Sequence, residues 1–437
     1  MQQSQDAPTP PHETSILGAA GAIESIAAPG RTRYPALDGL RGLAILMVMA
    51  CHYAMQIPGT GVAAIAARAI ALKGWAGVDL FFVLSGFLIT GILYDAKGQA
   101  HYFRNFYARR TLRIFPLYFG FLTAILAAVI LYRFAFHADY KHSRLGHQLT
   151  SYQPWLWTYT ANFWMAFHDR FMAIVGHFWT LCIEEQFYLI WPLVVVLCSR
   201  RALIRICLAV VLGSLLLRLA LTAAGCDWLF IFTFTPAHVD PLALGALVAL
   251  ASRGSRGAHH ARTYAKWLGV ATGTLLCGAL AAAAFLGLSW HGGQLSSAPR
   301  LAHPAWWGSP WATDFLLSLL GIFFASLLVH AARADGIVYA IFRWRPLRFI
   351  GGYSYGIYVY HLPIFMGIYL ILSKTHFFER VEHSGPLRWL LIAVNFVLSI
   401  GVAFASFHLY EKHFLKLKKY FPERTAVRPT DGRPAPT

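Results

Sequence analysis

The sequence predicts an all-α polytopic membrane protein, and three observations carry that prediction. Of 437 residues, 57% are hydrophobic and only 13% charged, where a soluble chain carries about a quarter charged. Mean hydropathy is +0.51. Apolar runs of about 20 residues, the length that crosses a bilayer as a helix, recur from Leu37 to Tyr410. The net charge of +18 sits in clusters between these runs, as orientation signals do. It forms no basic face interleaved with aromatics, so the partner it implies is the lipid bilayer and not a nucleic acid.

Ten spans follow, near 37–56, 75–94, 114–133, 177–197, 203–222, 230–251, 267–289, 311–331, 350–372 and 389–410. The sixth is interrupted near its start by Pro236 and Pro241, and a broken helix in a bilayer is tolerated where it lines a cavity. Residues 1–33 are rich in Ala, Pro, Gly and Ser and read as a disordered tail, with no basic stretch ahead of an apolar core to suggest a signal peptide. The membrane domain is expected over 34–415 and a second tail over 416–437. Alternate loops (95–113, 198–205, 252–266 and 332–349) hold 16 Lys and Arg against 9 in the others. This places both termini in the cytoplasm. The six cysteines show no CxxC pair or metal spacing and read as packed small side chains.

Each ionisable group inside a span costs about 2.5–3.5 kcal/mol on insertion scales, so each needs a reason. The first span, LDGLRGLAILMVMACHY, keeps Asp38, Arg41 and His52. Arg41 and His52 are eleven residues apart, almost three helical turns and about 16 Å of rise, which puts them on one face at different depths. GVDLFFVLSGFLIT brings in Asp79 and Ser85, HFWTLCIEEQFYLIWP brings in Glu184, Glu185 and Tyr188, the sixth span offers Asp240, and GGYSYGIYVYHLPIF carries His361. His52, Asp79, Glu184 and Asp240 are expected to converge. A carboxylate on a histidine fixes its tautomer and makes it a general base. Arg110 and Arg113 in ARRTLRIFP lie one turn apart at the mouth of the third span. They serve either as orientation signals or as a bidentate grip on phosphates. The histidines of the longest outer loop, His137, His142, His147, His168 and His177, lack the spacing of a metal-binding helical pair and read as solvated or packed.

These segments, in this order over residues 37 to about 410, resemble acyltransferase family 3. Asp38, Arg41 and His52 match its Arg-x10-His signature, RRTLRIFPLY its Arg-x-x-Arg motif, HFWTLCIEEQFYLIWP its His-x-Trp-Ser-Leu-x-x-Glu helix with Thr180 where serine is usual, and GGYSYGIYVYHLP its late Tyr-Ser-Tyr-Gly-Ile-Tyr segment. The resemblance implies a multi-pass O-acyltransferase of the bacterial inner membrane. It would move acetyl or a short acyl group from acyl-CoA, a substrate and not a resident cofactor, to a hydroxyl of a surface glycan or lipid-linked sugar. It implies His52 as the catalytic histidine, Arg41 beneath it, Arg110 and Arg113 on coenzyme A phosphates, and Glu184 as the functional acid. The esterase-like domain that some members append is not seen in the sequence, so acceptor handling is expected to fall to the membrane part and its outer loops. The mechanism expected has His52, oriented by Glu184 or Asp79, deprotonating the acceptor, with Ser85, Tyr188 or His361 as donors to the oxyanion. A route through acyl-histidine fits equally. Three alternatives stay open: a transporter or flippase whose buried charges form a pathway, an acetyl exporter, and a small-molecule acceptor such as a macrolide.

Overall fold

The structure is a computed structural model, and it describes residues 35–136, 150–253, 264–278, 310–332 and 336–422. Among these the chain is helical throughout, with no strand, and eight helices are long and apolar enough to cross a membrane. The physical reason is that lipid offers no partner to a backbone N–H or C=O, so each crossing segment must satisfy its own as a helix. The helices that build the interior are α1 (Pro35–Tyr53), α2 (Gly77–Asp95), α3 (Tyr102–Phe136), α4 (Trp179–Leu197), α5 (Arg200–Ala223), α6 (Asp240–Ala251), α7 (Pro310–Ala331), α8 (Arg345–Gly352), α9 (Ser354–Leu372) and α10 (Gly385–Ser406). Ser199 and Ser384 cap α5 and α10, their hydroxyls accepting from Ala202 N at 3.3 Å and Leu387 N at 3.4 Å.

Glycines set which helices meet. A Cβ added to Gly86 of α2 would lie 1.9 Å from the Leu242 carbonyl oxygen, and one on Gly245 of α6 would lie 2.0 Å from that of Val83. The two backbones therefore touch, the packing that small residues allow where helices have no hydrophobic force between them. Gly42 of α1 and Gly351 of α8 make a second such crossing, with a Cβ at 2.1 Å from Leu347 O and 1.7 Å from Asp38 O. The segment ending in α2 is the centre of the bundle, with 78% of its apolar window buried, against 17% for α5 and for the segment that begins with α10. Those two present their apolar faces outward, to lipid.

Several expected boundaries move. The sixth span is three pieces, Trp228–Thr233, Thr235–His238 and α6, as its prolines suggested. The seventh, 267–289, lies within the described residues only to 278. The arginines assigned to loop 95–113 are mostly helical, because α3 begins at Tyr102, well before its apolar run. The ninth span divides at Tyr353, where α8 ends and α9 begins. The tenth continues past α10 through a π-helical turn, Phe407–Glu411, to Tyr420. Of the two expected tails, 1–33 lies outside the described residues, as does the second beyond Pro422.

Candidate active site

Arginines gather at one end of the bundle. A cavity of about 410 Å³ is lined by Asp38 and Arg41 of α1, Arg109, Arg110 and Arg113 of α3, and Phe407 and Lys418 of the C-terminal helix. Arg41 Nη1 contacts Asp38 Oδ1 at 3.1 Å. Arg109 is turned to residues 418–422, where its Nη1 donates to the carbonyls of Lys418 at 3.3 Å and Phe421 at 3.0 Å, while Asn105 Nδ2 donates to Pro422 O at 3.0 Å. These bonds tie that segment to α3 beside the cavity. Arg110 lies over the Tyr188 ring at 5.5 Å. Among the described residues neither Arg110 nor Arg113 makes an ion pair. The cavity thus concentrates positive charge beside a single lining carboxylate, the setting in which planar guanidiniums bind phosphate.

A narrower cavity of about 120 Å³ continues inward, walled by Arg41, Ser85, Arg110, Arg113, Thr180, Glu184, Tyr188, Ser354, Tyr355 and Tyr358. It shares Arg41, Arg110 and Arg113 with the basic cavity. The hydroxyls of Ser85 and Tyr188 hydrogen-bond to each other, and Glu184 sits beside both, in the field of Arg110 and Arg41. Glu185 is not among the walls of this passage; it lies toward Tyr118 and Tyr159. Adjacent helix positions cannot face one way, and it is Glu184 that faces inward. Thr180 Oγ1 bonds Tyr358 OH at 2.5 Å, and that phenol donates to the His177 carbonyl.

Past Val78, Thr180 and Tyr358 the passage meets a third cavity of about 450 Å³, whose walls include His52, Cys51, Trp75, Trp179, Trp228 and His177. His52 Nδ1 lies 2.9 Å from His361 Nε2. His361 is fully buried, and its Nδ1 faces two backbone carbonyls, Tyr358 O at 2.8 Å and Ile357 O at 3.1 Å. A carbonyl only accepts, so Nδ1 of His361 carries the proton and, in the neutral ring, its Nε2 accepts. His52 must then donate from Nδ1, which leaves Nε2 as its lone-pair nitrogen. Fixing one imidazole through its other nitrogen is what orients a general base. A third imidazole, His177, packs with its ring centroid 5.0 Å from that of His361 and 6.3 Å from that of His52.

The expected convergence of four acidic and basic groups on one point is corrected. His52 takes a histidine, His361, as its partner. Asp79 is fully buried and its Oδ1 pairs with His238 Nε2 at 2.8 Å, while His238 Nδ1 donates to Phe232 O at 2.8 Å. Asp240 is held by Arg218 through 2.9 and 3.0 Å contacts, with Ser318 Oγ between. A carboxylate in an apolar interior needs a positive or donating partner, and Asp79 finds one in His238 at the break before α6, Asp240 in Arg218 of α5. Ser85 and Tyr188 lie in the narrow passage and not in the chamber of His52. His361, expected as an oxyanion donor, has both ring nitrogens engaged. Sequence reading passed over Arg218, a charge inside the fifth span, and His238, two residues before Asp240; both were visible as ionisable groups in apolar runs. Of the outer histidines, His137, His142 and His147 lie outside the described residues. His168 stacks on Trp164 at 4.4 Å, and His177 is in the chamber. Among the described residues no three His, Cys, Asp or Glu form a metal-binding group.

A basic mouth, a narrow neck and an imidazole chamber thus lie in series inside a helical membrane bundle. A sequence profile described as an acyltransferase domain matches residues 34–408, and the chain belongs to acyltransferase family 3. It is 29% identical over 418 residues to the peptidoglycan O-acetyltransferase OatA of Listeria monocytogenes, an alignment covering 90% of this chain and 59% of that protein. With the putative peptidoglycan O-acetyltransferase YrhL of Bacillus subtilis it shares 28% identity over 398 residues, 86% of this chain and 54% of the relative. A putative O-acetyltransferase of Staphylococcus aureus is 33% identical over 170 residues, 38% of this chain and 25% of that one. The chain thus spans little more than half the length of the first two. No solved structure matches it.

Proposed function

We propose that this chain transfers an acetyl or short acyl group from acyl-CoA to a hydroxyl of a cell-wall or surface glycan, peptidoglycan being the acceptor that the relatives' names favour. The observation that carries the reading is the order of the three cavities. Arginines stand at one end and the lone-pair nitrogen of His52 at the other, with a neck between them. Coenzyme A phosphates bind Arg41, Arg110 and Arg113, and the pantetheine arm passes the neck beside Glu184. The basic end faces the cytoplasm of a bacterial inner membrane, where acyl-CoA is made, and the chamber faces the acceptor. His52 Nε2 removes the acceptor's proton, the oxygen attacks the thioester carbonyl, and the same nitrogen returns the proton to the departing sulfur. His361 replaces the expected carboxylate in holding His52, and no resident cofactor is needed.

The test uses the full chain in proteoliposomes supplied with labelled acetyl-CoA and soluble peptidoglycan fragments. Free CoA thiol and an ester-linked acetyl group should appear together, and His52→Ala should lower the rate by about a hundredfold or more. Movement of glycan without thioester cleavage would favour the transporter reading. Full transfer by His52→Ala sinks the proposal.

A further inference from the structure

Two side chains of the chamber wall carry buried polar atoms that take no partner among the described residues. Neither ring nitrogen of His177 meets a hydrogen-bond partner there, although the residue is 5% exposed. The backbone of Tyr358 and Val359 approaches the ring without meeting hydrogen-bond geometry. The indole Nε1 of Trp75 is likewise buried and unpartnered. Both residues wall the same cavity. Three other polar side chains there are occupied: Cys51 Sγ by Leu72 O at 3.3 Å, Thr180 by Tyr358, and Tyr358 by the His177 carbonyl. Leaving a buried donor unmet costs about 1–3 kcal/mol, and each such group in a native protein calls for an explanation, a catalytic role or a bound ion or water among them. Two of them in one cavity mark a place for a polar guest.

Resting on the acyl-transfer reading above, we propose that His177 is a second catalytic histidine, donating its N–H to the thioester carbonyl oxygen as that oxygen becomes an oxyanion, and that the Trp75 N–H binds an oxygen of the acceptor. His52 and His177 stand edge to face, with 6.3 Å between ring centroids. The role requires the tetrahedral centre to bridge the two rings from the chamber side, with the attacking oxygen about 2.8 Å from His52 Nε2 and the oxyanion a like distance from a His177 nitrogen. Electron and proton flow close on themselves. The acceptor O–H proton goes to His52 Nε2, the new C–O bond forms, the oxyanion re-forms the carbonyl, the C–S bond breaks, and His52 returns the proton to sulfur. His177 stays neutral throughout and contributes a dipole aimed at developing charge, the usual source of oxyanion stabilisation. Sequence analysis set this residue among packed or solvated histidines and also matched it to the first position of the His-x-Trp-Ser-Leu-x-x-Glu motif.

The experiment measures kcat and KM in the proteoliposome assay, with acetyl-CoA and soluble peptidoglycan fragments varied in turn, for His177→Ala, His177→Gln, Trp75→Phe and His52→Ala. Thermal unfolding in detergent checks that each variant is folded. His177→Ala should lose about a hundredfold in kcat, the scale of one lost oxyanion donor, with KM for acetyl-CoA unchanged. His177→Gln keeps an N–H donor and should recover a substantial part of that loss, which a purely structural role would not produce. Trp75→Phe should raise KM for the fragments several-fold while leaving kcat near wild type. Wild-type kcat in folded His177→Ala, or equal loss in the Ala and Gln variants, overturns the role of His177; unchanged KM in Trp75→Phe overturns that of Trp75. If His52→Ala is inactive while His177→Ala is not, only this inference falls. If the wild type releases no CoA, the acyl-transfer reading falls and this one with it.

Discussion

His52 is held by an uncharged partner. In a carboxylate–histidine pair the acid both orients the ring and stabilises the imidazolium that forms on it. The neutral His361 ring, anchored on Tyr358 O, orients without adding a negative charge. What it can do is accept the Nδ1 proton as Nε2 of His52 takes another. His361→Gln places an amide oxygen where Nε2 stood and should keep part of the activity. His361→Phe removes the acceptor, leaves the tautomer of His52 unspecified, and should cut kcat by roughly a hundredfold; equal kcat in the two variants would mean that His361 acts only by filling space. His52, Arg41 and Glu184 could be singled out from the sequence because each is an ionisable group in an apolar run. The bond between His52 and His361 could not, because 309 positions separate the two residues and periodicity says nothing about which helices are neighbours.

At the scale of elements, α2 and α6 are joined by the close approach of their backbones at Gly86 and Gly245. A polar layer at the foot of α6 adds to this, linking α5, α6 and α7 through Arg218, Asp240 and Ser318, with Arg218 fully buried. Removing one member of a buried pair leaves the other charge without compensation, at about 3–5 kcal/mol. Asp240→Asn should therefore lower the unfolding temperature markedly, while the fraction that remains folded keeps the wild-type KM for acetyl-CoA. A raised KM with unchanged stability would return Asp240 to the reaction site. Helix existence was legible because a span must be a continuous apolar run, and the break near Pro236 was legible because proline lacks the N–H. The early start of α3 was not, since its first turns are as polar as a loop. Nor was α8, whose attachment to α1 depends on Gly42 and Gly351 meeting in space.

For the whole molecule, a charge count across loops yields an expected orientation, and the apolar runs yield the class of fold; neither yields a route through the bundle. That route depends on side chains from α1, α2, α3, α4 and α9 arriving at one axis; of the three acids expected to meet His52, Glu184 lines the neck, whereas Asp79 and Asp240 pair with His238 and Arg218. The neck between the basic cavity and the chamber holds only about 120 Å³, and in its wall the hydroxyls of Ser85 and Tyr188 hydrogen-bond to each other. A bacterial membrane stores energy as an ion gradient, so any protein that opens to both faces must insulate one from the other. The same two hydroxyls that line the neck would then be electrical insulation. Tyr188→Ala should let vesicles carrying the protein leak protons, seen as faster collapse of a pH-dye signal than with wild type, whether or not acetyl-CoA is present; an unchanged rate of collapse would assign the seal to other residues.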